Sequence, residues 1–272
     1  MTGDAGFAGL LLAAVGAAKK AGDAILEVYN SDFAVELKDD KSPLTLADKR
    51  AHEIISRELS RLAYPILSEE GKNIPYEERK DWEYFWLVDP LDGTKEFVKR
   101  NGEFTVNIAL IHNTRPVLGV VYVPVKAVLY YAAEGIGAYK LEGGDGPDSA
   151  ASLDALVAKS RKLPIADGPK RRFTVVASRS HMSRETEDHL NELKKEHGEV
   201  DVISAGSSLK FCLVAEGLAD EYPRFGPTME WDTAAGHALV EQANGVILEI
   251  NTTNPLRYNK ESLLNPWFTV NG

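Results

Sequence analysis

Tyr84-Phe85-Trp86-Leu87-Val88-Asp89-Pro90-Leu91-Asp92-Gly93-Thr94 is an apolar, aromatic run that ends in two carboxylates three residues apart. The run reads as a buried strand, and Pro90, which has no N–H to donate, predicts that pairing ends at Asp89. Gly93-Thr94 can open a helical turn over residues 95–98, whose free backbone N–H groups would receive a phosphate. Carboxylates and main-chain carbonyls are hard oxygen ligands suited to Mg2+. A plain turn accounts for the same hexapeptide, because Asp, Pro and Gly favour turns for local reasons.

Upstream, residues 7–29 carry Leu11, Val15, Ala18, Ile25, Val28 and Tyr29 on one face of an amphipathic helix. Residues 33–38 alternate like a strand, 39–44 read as a turn or mobile loop, and a second helix is predicted from Thr45 through Leu62. Ile66-Leu67-Ser68 reads as a short strand running into Glu69-Glu70. Downstream, residues 104–111, 117–123 and 128–132 are strand-like runs separated by turn residues, which predicts an antiparallel sheet flanked by two helices. Residues 141–172 are rich in Gly and Pro around one short helix and read as a linker or decorated surface loop. Beyond them strands at 173–177, 202–203, 221–222 and 246–250 alternate with helices at 185–196, 208–216 and 233–244, the rhythm of an α/β half. The expected division is an α+β subdomain over residues 1–160 and an α/β subdomain over 161–272.

With 31 Lys and Arg against 41 Asp and Glu, the net charge of −10 lacks the cationic surplus that grips nucleic-acid phosphates. A composition of 44% hydrophobic and 26% charged residues can bury a large core. The single cysteine, Cys212, excludes an intrachain disulfide and a cysteine zinc site and fits a reducing compartment. Residues 7–18 lack a basic flank before them, and no stretch reaches the roughly 18 uncharged apolar residues of a bilayer span. The expected location is therefore the cytoplasm, with peripheral association with the inner membrane left open. Gly206-Ser207-Ser208-Leu209-Lys210 begins like a serine-hydrolase elbow but ends in Lys where Gly is required. The frame at Gly135-Ile136-Gly137 fails as a dinucleotide fingerprint at Lys140, and the sequence holds no Walker A and no H-E-x-x-H motif.

Acidic residues recur beside apolar elements. Glu69-Glu70 follows a strand, Asp232 opens a helix of small residues, and Asp48 stands three residues after Thr45. Each has a local explanation: solvated glutamates, a helix N-cap at Asp232, and the third position of a capping box at Asp48. Taken with Asp89 and Asp92, several acidic places, each beside an apolar strand or a helix of small residues, are harder to dismiss together than singly.

The segments 38–48, 68–70, 86–94 and 231–236 resemble the inositol monophosphatase family of lithium-sensitive, Mg2+-dependent phosphatases. Residues 93–97, 99–107, 206–212 and 222–227 look most like its 3′(2′),5′-bisphosphate nucleotidase branch, which serves bacterial sulfate assimilation. The resemblance implies a layered α/β/α/β/α sugar-phosphatase fold of class α/β, with the site between the halves. It implies hydrolysis of 3′-phosphoadenosine 5′-phosphate to AMP and phosphate, with the sulfated nucleotide 3′-phosphoadenylyl sulfate as a further candidate substrate. By the same resemblance Glu69, Asp89 and the Leu91 carbonyl hold one Mg2+, Asp89, Asp92 and Asp232 a second, and Glu70 contributes to a weaker third. Thr94 would orient the attacking water, with Asp48 accepting its proton, and the Gly93 and Thr94 amides would hold the scissile phosphate. Ser207, Lys210 and Arg224 are expected to recognise the nucleotide, with His181 a weaker candidate. The competing expectations are an inositol 1-phosphate or fructose 1,6-bisphosphate phosphatase, and a noncatalytic, metal-regulated binding protein.

Overall fold

The computed structural model describes residues 5–37, 43–143, 152–165, 172–178 and 183–272. Its first helix, α1 (Ala5–Tyr29), buries the stripe Leu11, Val15, Ala18, Ile25 and Val28 that periodicity predicts. A hairpin of β1 (Val35–Leu37) and β2 (Pro43–Thr45) leads into α2 (Leu46–Leu59). Thr45 caps α2: its hydroxyl accepts from the Ala47 N–H, and its own N–H donates to Asp48 Oδ2 at 2.7 Å. The predicted loop over 39–44 thus ends in a strand, and residues 38–42 lie outside the described residues.

The first sheet has seven strands in sequence order: β3 (Ile66–Ser68), β4 (Tyr84–Asp92), β5 (Thr105–His112), β6 (Arg115–Val123), β7 (Val128–Ala133), β8 (Gly137–Glu142) and β9 (Arg161–Lys162). Only β3 and β4 run parallel. Short helices α3 (Tyr76–Arg79), α4 (Thr94–Val98) and α5 (Leu153–Ala158) decorate it. Pairing does not end at Asp89: β4 continues to Asp92 through a register shift between those two residues. A bulge there lets a strand pass a proline without a ladder donor and bends its end. The Gly/Pro-rich region holds sheet structure too, because β8 reaches Glu142 and β9 pairs with it immediately after the expected boundary at 160/161. Residues 144–151 and 166–171 of that region lie outside the described residues.

The second sheet is mixed, in the order β11 (Val200–Ala205), β10 (Phe173–Ser178), β12 (Glu221–Arg224), β14 (Phe268–Asn271), β13 (Val246–Glu249). The first three are parallel, joined through α6 (Arg184–His197) and α7 (Leu209–Ala215), whereas β14 returns antiparallel between β12 and β13. Sequence periodicity does not reveal β14. The helix α8 (Glu230–Gln242) starts at Glu230, three residues before the predicted onset, so Asp232 sits in its first turn instead of at its N-cap.

Strand alternation sorts the core into layers. On β4 and β5, Trp86, Val88, Val106, Ile108 and Leu110 pack against α1 and α2, while Phe85, Leu87, Ala109 and Ile111 face α7 and α8. The second sheet covers α7 and α8 with Val176, Tyr222, Ile247, Phe268 and Val270, and α6 packs outside it with Leu190 and Leu193 on Val175. The order is therefore α/β/α/β/α, as the resemblance implies. The middle layer is thin because its contacts are small: a Cβ at Gly119 of β6 would overlap the Ala235 carbonyl oxygen of α8. Among the described residues no helix is long and apolar enough to cross a membrane.

Candidate active site

The end of β4, the α4 turn, residues 205–208, β12 and the first turn of α8 enclose one cleft, lined by Asp92, Gly93, Lys95, Ser207, Lys210, Arg224 and Asp232. Asp89 has the strand parity of Phe85 and Leu87, so its side chain points at the middle layer where α8 begins. Glu69, at the end of β3, Asp89 and Asp232 bring one carboxylate oxygen each to within 4.8 Å of one another. Burial pushes the Asp89 carboxyl well above the usual carboxylate range, and the charges of Glu69, Asp92 and Asp232 push in the same direction. Burial, reinforced by Asp92, pushes Asp232 up to about 8, against a donated Met229 N–H at 2.8 Å. Three hard oxygen donors around buried Asp89 that repel one another form a donor set that fits a divalent cation.

Asp48 serves two partners. Its Oδ2 accepts from the Thr45 hydroxyl and N–H as the helix-capping reading predicts, while Oδ1 accepts from the Thr94 hydroxyl at 3.1 Å. Burial raises the Asp48 carboxyl, and Glu70 adds to that effect. Glu70 is thus near Asp48 yet outside the Glu69, Asp89 and Asp232 trio. The Leu91 N–H donates to Asp89 Oδ1 at 3.0 Å, and the Leu91 carbonyl lies 3.4 Å from the Thr94 hydroxyl, which ties the turn together.

Gly93 has φ +93°, a left-handed conformation, and a Cβ there would overlap Ser207 Oγ. The Ser207 hydroxyl is directed at the main chain, 2.9 Å from the Asp92 carbonyl and 2.7 Å from that of Glu103. Its donor therefore clamps the turn, a role sequence reasoning did not assign. The cap position of α7 is the next residue, Ser208, whose side chain makes no capping bond. Lys210 is buried, donates to the Ser207 carbonyl at 2.7 Å and lies over the Tyr222 ring. Burial lowers its ammonium to about 8 although Asp92 opposes the shift. Arg224 donates to the Pro227 carbonyl at 3.0 Å, while its buried Nε has no partner among the described residues. His181 lies outside the described residues.

Glu103, Asn107 and Ser208 also belong to the site and carried no role in the sequence reading. Glu103 accepts the Gly206 N–H at 2.9 Å, and Asn107 and Ser208 bond to each other beside Asp92. An Asn inside the apolar strand 104–111 is the one signal that could have drawn attention.

The sequence model of the inositol monophosphatase family matches residues 9–267. The chain belongs to this family. Within it the chain is 49% identical over 257 residues to 3′(2′),5′-bisphosphate nucleotidase CysQ of Salmonella typhimurium, covering 93% of this chain and 96% of that protein. The protein of the same name from Escherichia coli K12 is 49% identical over 258 residues, with the same coverage. Among solved structures, CysQ from Bacteroides thetaiotaomicron, described as a bacterial member of the inositol monophosphatase family, superposes with a TM-score of 0.91 and 54% identity over 98% of each chain.

Proposed function

We propose that the chain is a 3′(2′),5′-bisphosphate nucleotidase that removes the 3′-phosphate of 3′-phosphoadenosine 5′-phosphate, giving AMP and phosphate, in the cytoplasm and in support of sulfate assimilation. The carrying observation is identity near one half, over almost the full length of both chains, with relatives of that name. The cleft is compatible with two phosphates at separate places. One would meet the Gly93 and Thr94 amides beside the acids, and the other would meet Lys210 and the Arg224 guanidinium. For Ser207, whose donor is spent on the main chain, the proposed part in nucleotide recognition narrows to holding the Gly93 turn and the Lys210 ammonium.

Glu69, Asp89 and Asp232 would hold Mg2+, joined by Asp92 and the Leu91 carbonyl, with Glu70 contributing to a weaker further ion. Bound there, Mg2+ supplies neutralisation of phosphate charge and acidification of the attacking water. The chain's own part is orientation and proton handling. The Thr94 hydroxyl donates to Asp48 Oδ1, which leaves its oxygen lone pairs to accept a proton from a water beside it. Asp48 is held by the α2 cap and so keeps Thr94 in one rotamer. No residue is required as a nucleophile, and Cys212 is buried with its thiol pushed well up.

Phosphate release from 3′-phosphoadenosine 5′-phosphate, inositol 1-phosphate and fructose 1,6-bisphosphate, with and without Mg2+ and Li+, tests the reading. The nucleotide should give the highest kcat/KM, with turnover dependent on Mg2+ and inhibited by Li+. A higher kcat/KM on either sugar phosphate refutes the nucleotidase assignment, and absence of Mg2+-dependent turnover on all three refutes the phosphatase.

A further inference from the structure

Asp92 belongs to the first half of the chain, yet its carboxylate is gripped from both. Ser208, at the start of α7, places its hydroxyl 2.9 Å from Asp92 Oδ2 and 3.1 Å from the Asp232 carbonyl. Asn107 of β5 donates through Nδ2 to Ser208 Oγ at 2.8 Å and lies 3.4 Å from Asp92 Oδ2. The Asn107 amide is itself oriented, because Thr105 donates its hydroxyl to Asn107 Oδ1 at 3.0 Å. Thr105, Asn107 and Ser208 are all buried, at 0%, 0% and 1% exposure, so each geometry is fixed by packing. Since Asn107 supplies the donor to Ser208, the single Ser208 proton is free to point at the nearer, charged acceptor, Asp92 Oδ2. Serine at a helix cap ordinarily bonds to the helix backbone; here that bond is absent and the hydroxyl is turned to the acid.

From this chain of donors we infer that Asn107 and Ser208 are positioning residues for Asp92. They hold Oδ2 so that Oδ1 alone is presented to the cation site, and they make that presentation depend on the first sheet and α7 being docked. The inference rests on the reading of Asp92 as a ligand of the divalent cation. Partners that orient a ligating carboxylate change metal affinity or activity by about ten- to a hundred-fold when removed.

The test is the rise in melting temperature on titrating Mg2+ into the full chain without substrate, for wild type, Ser208→Ala, Asn107→Ala and the double variant, together with kcat and KM of each. Ser208→Ala should melt close to wild type without metal, raise the Mg2+ midpoint at least about ten-fold, and lower kcat with KM for the nucleotide little changed. Asn107→Ala should shift the midpoint in the same direction, and the double variant should lose little beyond Ser208→Ala, because the two act as one chain. A Ser208→Ala midpoint equal to wild type overturns the inference, as do losses in the two singles that simply add in the double. If Asn107→Ala does not fold, Ser208→Ala decides alone. The melting titration needs no substrate, so it stands apart from which phosphate ester is hydrolysed; a wild type whose melting ignores Mg2+ sinks the cation reading and this inference with it.

Discussion

Gly93 joins the last residue of β4 to the first of α4 in a conformation with φ +93°, pressed against Ser207 Oγ. A side chain there meets two obstacles at once, a left-handed backbone and an occupied space. Gly93→Ala is expected to cost about 1–3 kcal/mol in denaturant unfolding and to lower kcat more than ten-fold, since the turn carries the Thr94 hydroxyl. Wild-type rates and stability in that variant would show that the turn relaxes freely. Asp92→Asn keeps the shape of the side chain and its contacts with Ser208 while removing a charge. It should lose most of kcat with its melting temperature nearly unchanged, and an unaltered rate would remove Asp92 from the cation-binding set. At this scale the resemblance supplied expected duties for the acids, and the structure adds the partners that hold them in place. Asp48 both takes the capping position that local spacing predicts and accepts the hydrogen bond of the Thr94 hydroxyl, because its two oxygens face different partners.

At the scale of elements, α6 is fastened to the second sheet by the His189 imidazole, whose Nε2 meets the buried Glu221 carboxylate of β12, with Phe225 edge-on to the ring. The Glu221 hydrogen bond holds the His189 pKa above its ordinary value, against the opposing effect of burial. A raised folded-state pKa means the folded chain binds the proton more tightly. Its stabilising contribution is therefore full below the unfolded value of about 6.5 and is lost as pH rises through the folded value. Thermal melts from about pH 6 to 8 should decline in wild type more steeply than in Glu221→Gln; parallel profiles would rule out the pair as a source of the slope. Most elements were legible in the sequence, since α1 and α2 carry helical periodicity and β5 is a nearly continuous apolar run. The bulge in β4 and the antiparallel β14 were not. A proline in sequence does not say whether its strand ends or steps around it, and Phe268–Asn271 is too short for a periodic pattern to form.

At the scale of the molecule, one core cluster joins Leu87 and Ala109 of the first sheet to Ala235 and Leu239 of α8 and to Tyr222 and Phe268 of the second sheet. Neither sheet can be parted from the middle helices without exposing that cluster, and at about 25 cal/mol per Å2 of apolar surface the loss is large for either half. The chain should therefore unfold in urea as one transition with coincident fluorescence and circular-dichroism curves. Two resolved transitions would mean that the halves are separately stable. Arg79 adds a polar tie of the same kind: it donates to the Asn259 side chain at 2.8 Å and to the carbonyls of Lys260 and Glu261, while buried Glu230 of α8 accepts the N–H groups of Asn259 and Lys260.

By itself the sequence determined the helix and strand rhythm, the change of rhythm near residue 172, the family and the identities of the acids, because each is written in local spacing or in contiguous motifs. The resemblance grouped those acids, but only tertiary structure brings distant carboxylates within reach of one another. Glu69, Asp89 and Asp232 converge because strand parity turns Asp89 toward the middle layer and Ala- and Gly-rich α8 lies close enough to the sheet to deliver Asp232. Asp92 is instead held by a hydroxyl from α7, and Ser207 is drawn inward to the main chain. Those partners lie more than a hundred residues apart, and no local spacing encodes a contact that exists only once both sheets have packed on the helices between them.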